Sequence, residues 1–213
     1  MSITTLNNRA INRSDTASAD QVWTATSATA SDFQAAGGGA WTFLDKENIS
    51  SDGTVDIETS IDSTYPLYAF VFNKVRIATA NQSIFARVKI SSYLSTSDYQ
   101  YHTMGAQSNQ SAWDYANANS TGAAQIEVIG TGVSNGASAS INGIVYLPDP
   151  SDTAILKNIW WDLTSIDNSA NWIRTAGFGG YDAVTTAITG VQFYAGSGDM
   201  ATGDITTYGI KDS

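Results

Sequence analysis

Leu67-Tyr68-Ala69-Phe70-Val71-Phe72-Asn73-Lys74-Val75-Arg76-Ile77 decides how the chain is to be read. Leu67, Ala69, Val71, Val75 and Ile77 fall on one face of an extended segment. Tyr68, Phe70, Phe72, Lys74 and Arg76 fall on the other. A period of two marks a strand, because successive side chains of an extended backbone point to opposite sides. The same period recurs downstream. Ile84, Ala86, Val88 and Ile90 alternate with Phe85, Arg87, Lys89 and Ser91, and Ala124, Ile126 and Val128 with Gln125 and Glu127. Ile141, Gly143, Val145 and Leu147 share one face, as do Val191, Phe193 and Ala195.

Turn-forming residues separate these runs. They are Ser51-Asp52-Gly53, Ala80-Asn81-Gln82, Gly132 to Gly136, Pro148-Asp149-Pro150, Gly177 to Gly180 and Gly196-Ser197-Gly198. Pro66, Pro148 and Pro150 stand at the edges of runs, where a strand tolerates a missing N–H donor. No segment after residue 40 has a helical period. The expectation is an all-β, antiparallel, jelly-roll-like sandwich of roughly nine to eleven strands.

Composition agrees. Of 213 residues, 42% are apolar and 11% aromatic, enough for a sizeable core, whereas only 14% are charged. Ser, Thr, Asn and Gly stand where a helical protein would carry Lys, Glu and Arg. The net charge of −10 repels phosphate, so nucleic acid is not an expected partner. There is no cysteine, which excludes disulfides, thiol nucleophiles and cysteine-based metal sites. Met1 to Arg13 has no signal-peptide-like apolar run, and no stretch has the length of a membrane span. The reading is a chain made in a cytoplasm, without membrane insertion.

Residues 1–40 differ from 41–213. From Asn7 to Ala40 the large apolar residues are Ile11, Val22, Trp23 and Phe33. This segment reads as an extended N-terminal arm, with a short helical turn expected from Ser31 through Ala36, stopped by Gly37-Gly38-Gly39. Ile11, Trp23 and Phe33 are its candidate assembly contacts, on the parent domain or on a neighbouring subunit.

His102 is the one histidine, and no Gly-x-Ser-x-Gly elbow accompanies it, so it reads as an ordinary strand or loop residue. Glu47, Glu58 and Glu127 are the only glutamates, and most aspartates sit in turns where they accept local backbone N–H bonds. The expectation is therefore no catalytic residue. Asp149-Pro150-Ser151-Asp152 and Asp167-Asn168 have the composition of calcium-holding loops without EF-hand spacing. No cofactor is expected beyond, at most, such an ion.

The segment from Ser95 to Gly122 reads as a long polar loop rich in aromatic residues. Tyr99, Tyr101, Trp113 and Tyr115 are its candidates for stacking on a glycan. In Ile159-Trp160-Trp161-Asp162-Leu163 one tryptophan must point inward and the other outward, the latter toward an interface, a covering strand or a sugar.

Leu6-Asn7-Asn8-Arg9-Ala10-Ile11-Asn12-Arg13-Ser14-Asp15-Thr16-Ala17 and the run from Gln21 to Gln34 resemble the start of small virion proteins of tailed, often marine, bacteriophages. The closing stretch from Phe193-Tyr194-Ala195-Gly196-Ser197-Gly198 to Thr207-Tyr208-Gly209-Ile210-Lys211 resembles the last hairpin of phage fibre and decoration domains. Ile61-Asp62-Ser63-Thr64-Tyr65 followed by Tyr68-Ala69-Phe70-Val71-Phe72 fits the same pattern. The resemblance implies a non-enzymatic structural protein of the virion, of tail-fibre, head-fibre or capsid-decoration type. It implies attachment by the arm and self-association, commonly as a homotrimer, beside other virion proteins. The alternative is a glycan-binding module for host-surface adhesion.

Overall fold

The structure is a computed structural model that describes residues 21–25, 31–35, 40–111, 118–183 and 185–211, with the backbone alone at 21–25, 31–35 and 131. Two compact units divide the chain at Gly39/Ala40.

In the first unit β1 (Gln21–Ala25) pairs antiparallel with β2 (Ser31–Ala35), placing Trp23 directly opposite Phe33. The helical turn expected over Ser31–Ala36 is therefore corrected to a strand over Ser31–Ala35. A single isolated helical turn fixes several dihedrals for one hydrogen bond, whereas pairing with β1 gives the segment a ladder. Ile11 lies outside the described residues.

The second unit is all-β, with no helix among its described residues. Its strands are β3 (Trp41–Asp52), β4 (Val55–Ile57), β5 (Leu67–Ile77), β6 (Gln82–Lys89), β7 (Tyr99–Gln107) and β8 (Ala118–Ala123). They continue with β9 (Ile126–Val133), β10 (Ile141–Pro148), β11 (Lys157–Ile166), β12 (Trp172–Tyr181), β13 (Gly190–Ala195) and β14 (Met200–Ile210). An eight-stranded sheet in the order β3-β14-β5-β10-β11-β12-β7-β8 packs on a four-stranded sheet, β4-β13-β6-β9, and the strands of both pair antiparallel. The fold is an antiparallel β-sandwich, as the alternation predicts.

The core lies between the sheets. Phe193 of β13 meets Phe72 and Phe70 of β5 edge to face, with ring centroids 4.9 and 5.8 Å apart. Trp161, Leu163, Ile141, Val145, Ile84 and Ile129 are sealed around them. Threonines of the large sheet serve the edge of the small one. Thr175 Oγ1 donates to the Val128 carbonyl at 3.2 Å, and Thr103 Oγ1 donates to that of Glu127. Carbonyls of the edge strand β9 thus find partners inside the sandwich.

Three sequence expectations change in detail. The first concerns β5. Its core face is Tyr68, Phe70 and Phe72, then Val75 and Ile77, with Leu67 and Val71 only half-buried. A bulge moves the inward set from even to odd positions. Asn73 and Lys74 together oppose Asn142, Lys74 has φ 53°, and its N–H donates to Asn142 Oδ1 at 2.9 Å. Strict alternation over the whole run placed half of it on the wrong face.

The second concerns Gly177 to Gly180, which is not a turn but part of β12. Gly177 is opposite Trp161, and a Cβ there would overlap the indole ring. A Cβ at Gly180 would overlap the Lys157 carbonyl oxygen. These glycines make room for packing. The third concerns the supposed loop of Ser95–Gly122, which contains β7 and all of β8 except Ala123. It is sheet edge more than loop.

Candidate functional site

The outer face of the large sheet carries the feature that stands out. Strand alternation points Phe43, Tyr208, Ala69, Tyr146, Trp160, Phe178, His102 and Asn119 outward, and the registers place them side by side. Phe43 is opposite Tyr208, Tyr208 opposite Ala69, and Ala69 opposite Tyr146. Tyr146 is opposite Trp160, Trp160 opposite Phe178, Phe178 opposite His102, and His102 opposite Asn119. One cross-strand row therefore runs over all eight strands, and six of its eight members are aromatic, counting His102 with Phe43, Tyr208, Tyr146, Trp160 and Phe178.

Ring contacts bind the row together. Tyr146 and Trp160 stack at 3.9 Å with an interplanar angle of 18°. Trp41 contacts Tyr208 at 5.6 Å and Tyr146 at 6.4 Å, bridging above the small, fully buried Ala69. Phe43 meets Tyr208 at 6.2 Å and His102 meets Phe178 at 6.3 Å. Cross-strand aromatic pairs contribute roughly 0.2–1 kcal/mol each. That does not account for leaving Phe43 59%, Phe178 60% and Trp160 42% exposed. Met104 and Trp172 extend the apolar surface on the same side.

The charge of this face is unlike that of the chain. Its outward strand positions carry Lys46, Lys74, Arg76 and Arg174 against Asp162 and Asp204, four cations to two anions, while the whole chain is at −10. Arg174 grips Asp162 through two donors, Nε–Oδ1 at 2.8 Å and a second through NH2, which holds the Asp162 carboxyl below its ordinary range. Lys46 pairs with Asp204 at 3.3 Å.

Of the residues expected to bind a glycan, Tyr99 and Tyr101 lie among the described residues. Tyr99 is corrected outright. It is a fully buried core residue, its hydroxyl donating to the Leu94 carbonyl at 3.1 Å and accepting from Val88 N–H at 3.0 Å. Tyr101 points inward and is half-buried, 3.4 Å from Glu127. Trp113 and Tyr115 lie outside the described residues, as do the side chains of Trp23 and Phe33. Of the tryptophan pair, Trp161 is buried and Trp160 exposed, as alternation requires.

The residues missed are Phe43, Tyr146, Phe178 and Tyr208. Their signal was present locally, as aromatic side chains at positions where an outward face normally carries polar ones. Seeing them as one row required the strand order.

At the calcium candidates, the Asp167 carboxylate is taken up by its own turn. It accepts from Ser169 N and Asn171 N at 2.8 Å and from Gln107. Asp152 Oδ1 accepts from Ala154 N at 2.7 Å. Among the described residues no three His, Asp or Glu side chains converge as a metal site.

Burial raises several tyrosine hydroxyls. Tyr68 and Tyr101 are each pushed up to about 12, mainly by loss of solvent and further by the charges of Asp62 and Glu127 respectively. The fold thus favours neutral phenols. Unfolded tyrosine begins to ionise near pH 10, so the native state holds more protons above that point and stability must fall. The urea midpoint should be insensitive to these groups below about pH 10 and decline between about pH 10 and 12. A midpoint that rises over that window would contradict the burial assigned to these rings.

No family model, no curated protein and no solved structure matches this chain.

Proposed function

We propose that the chain is a non-enzymatic structural protein of a phage particle, a β-sandwich unit that assembles with further copies of itself through the outer face of its large sheet. The observation that carries this reading is the aromatic row across all eight strands. Contiguous exposed apolar surface, rich in Trp, Tyr and Phe, is characteristic of interaction sites. Charge supports a second copy as the occupant. Two chains at −10 repel, and this face does not share their negative excess, so copies can meet here with least opposition. Neighbouring virion proteins, engaged by residues 1–40, complete the proposed setting, and the resemblance of both chain ends to phage proteins motivates it.

The test is sedimentation equilibrium of the full chain and of a Phe43→Ser, Trp160→Ser variant. Aromatic anchors at interfaces carry about 2 kcal/mol or more each, equal to roughly thirtyfold in affinity. The wild type should associate and the variant should sediment as a monomer at the same concentration. A monomeric wild type, or undiminished association in the variant, overturns the assignment of this face.

A further inference from the structure

We infer that a groove at one end of the same sheet face is a binding site for a neutral hexopyranose unit of a polysaccharide. This goes beyond the assembly reading and shares with it the Phe178 ring, which belongs both to the aromatic row and to the groove.

The groove has a volume of about 400 Å³, within the roughly 300–1,000 Å³ of small-ligand sites. It is formed where β11 and β7 begin and β12 ends, beside β8. Asn158, Gly180 and Gln100 make a cross-strand row, parallel to the aromatic row and two residues along from Trp160, Phe178 and His102. The middle member has no side chain, so Gly180 is the floor. Phe178, 60% exposed, forms one wall, and Leu156, 51% exposed, adds apolar surface. Asn158 and Gln100 flank the floor, and Asp182 closes its end, accepting a hydrogen bond from Gln100 Nε2.

The chemistry of these walls narrows the ligand. A purely apolar molecule would strip water from Asn158, Gln100 and Asp182 and return no hydrogen bond, at a cost of about 1–3 kcal/mol for each group. An acidic ligand would meet the Asp182 carboxylate, while Lys157, the cation that also lines the groove, is buried and its Nζ donates to the Ile155 carbonyl at 3.1 Å. A neutral pyranose satisfies both constraints. Its C–H face lies against the Phe178 ring. Its ring hydroxyls donate to the Asp182 carboxylate, which keeps lone pairs beyond the Gln100 bond, and exchange bonds with the Asn158 and Gln100 amides.

The test is saturation-transfer NMR on the full chain with maltotriose, cellotriose, N-acetylated chitotriose and, as the acidic arm, trigalacturonate. At least one neutral trisaccharide should receive transfer. The signal should fall at least tenfold in Phe178→Ala and in Asn158→Ala, and persist in Trp172→Ala, at the far end of β12. Thermal melts of each variant separate lost binding from lost folding. The site is overturned if no neutral probe responds, if a folded Phe178→Ala variant retains the signal, or if trigalacturonate binds as well as the neutral sugars. The same NMR measurement on the Phe43→Ser, Trp160→Ser variant, which keeps Phe178 and Asn158, reads the groove with association removed, so the two proposals fail separately.

Discussion

Replacing Trp161 by alanine is expected to destabilise the sandwich by about 3–5 kcal/mol, the cost of removing a large aromatic side chain from a packed core. Among the described residues Trp161 is the bulkiest of the fully buried side chains. It stands at the centre of the large sheet, opposite Val145 on β10 and Gly177 on β12. Its ring lies so close over Gly177 that a Cβ there would be 2.8 Å from Cε2 and would overlap Cζ2. Neighbouring strands hold this cavity open, so little collapse can offset the loss. In a domain of this size the melting temperature should drop by roughly 6–20 °C. Trp161→Phe should cost well under half as much. The indole Nε1 is buried without a hydrogen-bond partner, and phenylalanine removes that unsatisfied donor, worth about 1–3 kcal/mol, along with the second ring. If phenylalanine proves as damaging as alanine, the donor has a partner in solution and the packing argument is incomplete.

Gly143→Ala is expected to cost at least about 3 kcal/mol and to reduce soluble yield, although it adds a single methyl group. Gly143 sits in β10 between β5 and β11, beside the β5 bulge, with φ at +136°. Strain at such an angle amounts to about 1–3 kcal/mol. The new Cβ would also overlap the Asp162 carbonyl oxygen and lie 2.8 Å from Leu163 Cα. Both obstacles are backbone, so no rotamer change relieves them and the β10–β11 ladder must open. Gly53→Ala is the control. The nearest atom to its Cβ would be Asp199 Oδ1 at 3.9 Å, and its melting temperature should be unchanged or slightly higher. Equal behaviour of the two variants in urea titration would remove the reason given for glycine at 143.

Much of the fold was legible locally. Alternation over Ile84–Val88, Ile141–Leu147 and Val191–Ala195 identified inward residues correctly, because a one-residue slip would bury the polar set and expose the apolar one. It failed in β5, where the bulge at Asn73-Lys74 depends on Asn142, sixty-eight residues away. It failed again at Gly177–Gly180, since glycine in a strand looks like a turn until the ring that needs the space is known. Tyr99 looked available for binding because nothing local records that Val88 and Leu94 engage its hydroxyl.

The sequence by itself determined the class of this protein. Its period-two runs, turn residues and scarcity of charge commit it to antiparallel sheets, and its −10 charge sets how it repels other copies. Both are local or additive properties, readable without knowing neighbours. The tertiary structure alone decided the exposed aromatic surface on which the proposed function rests. Phe43, Tyr146, Trp160, Phe178 and Tyr208 form one row because the strand order β3-β14-β5-β10-β11-β12-β7-β8 lays distant segments side by side. Strand order is fixed by which faces pack and which edges pair, a balance of contacts between segments that no single stretch of sequence contains.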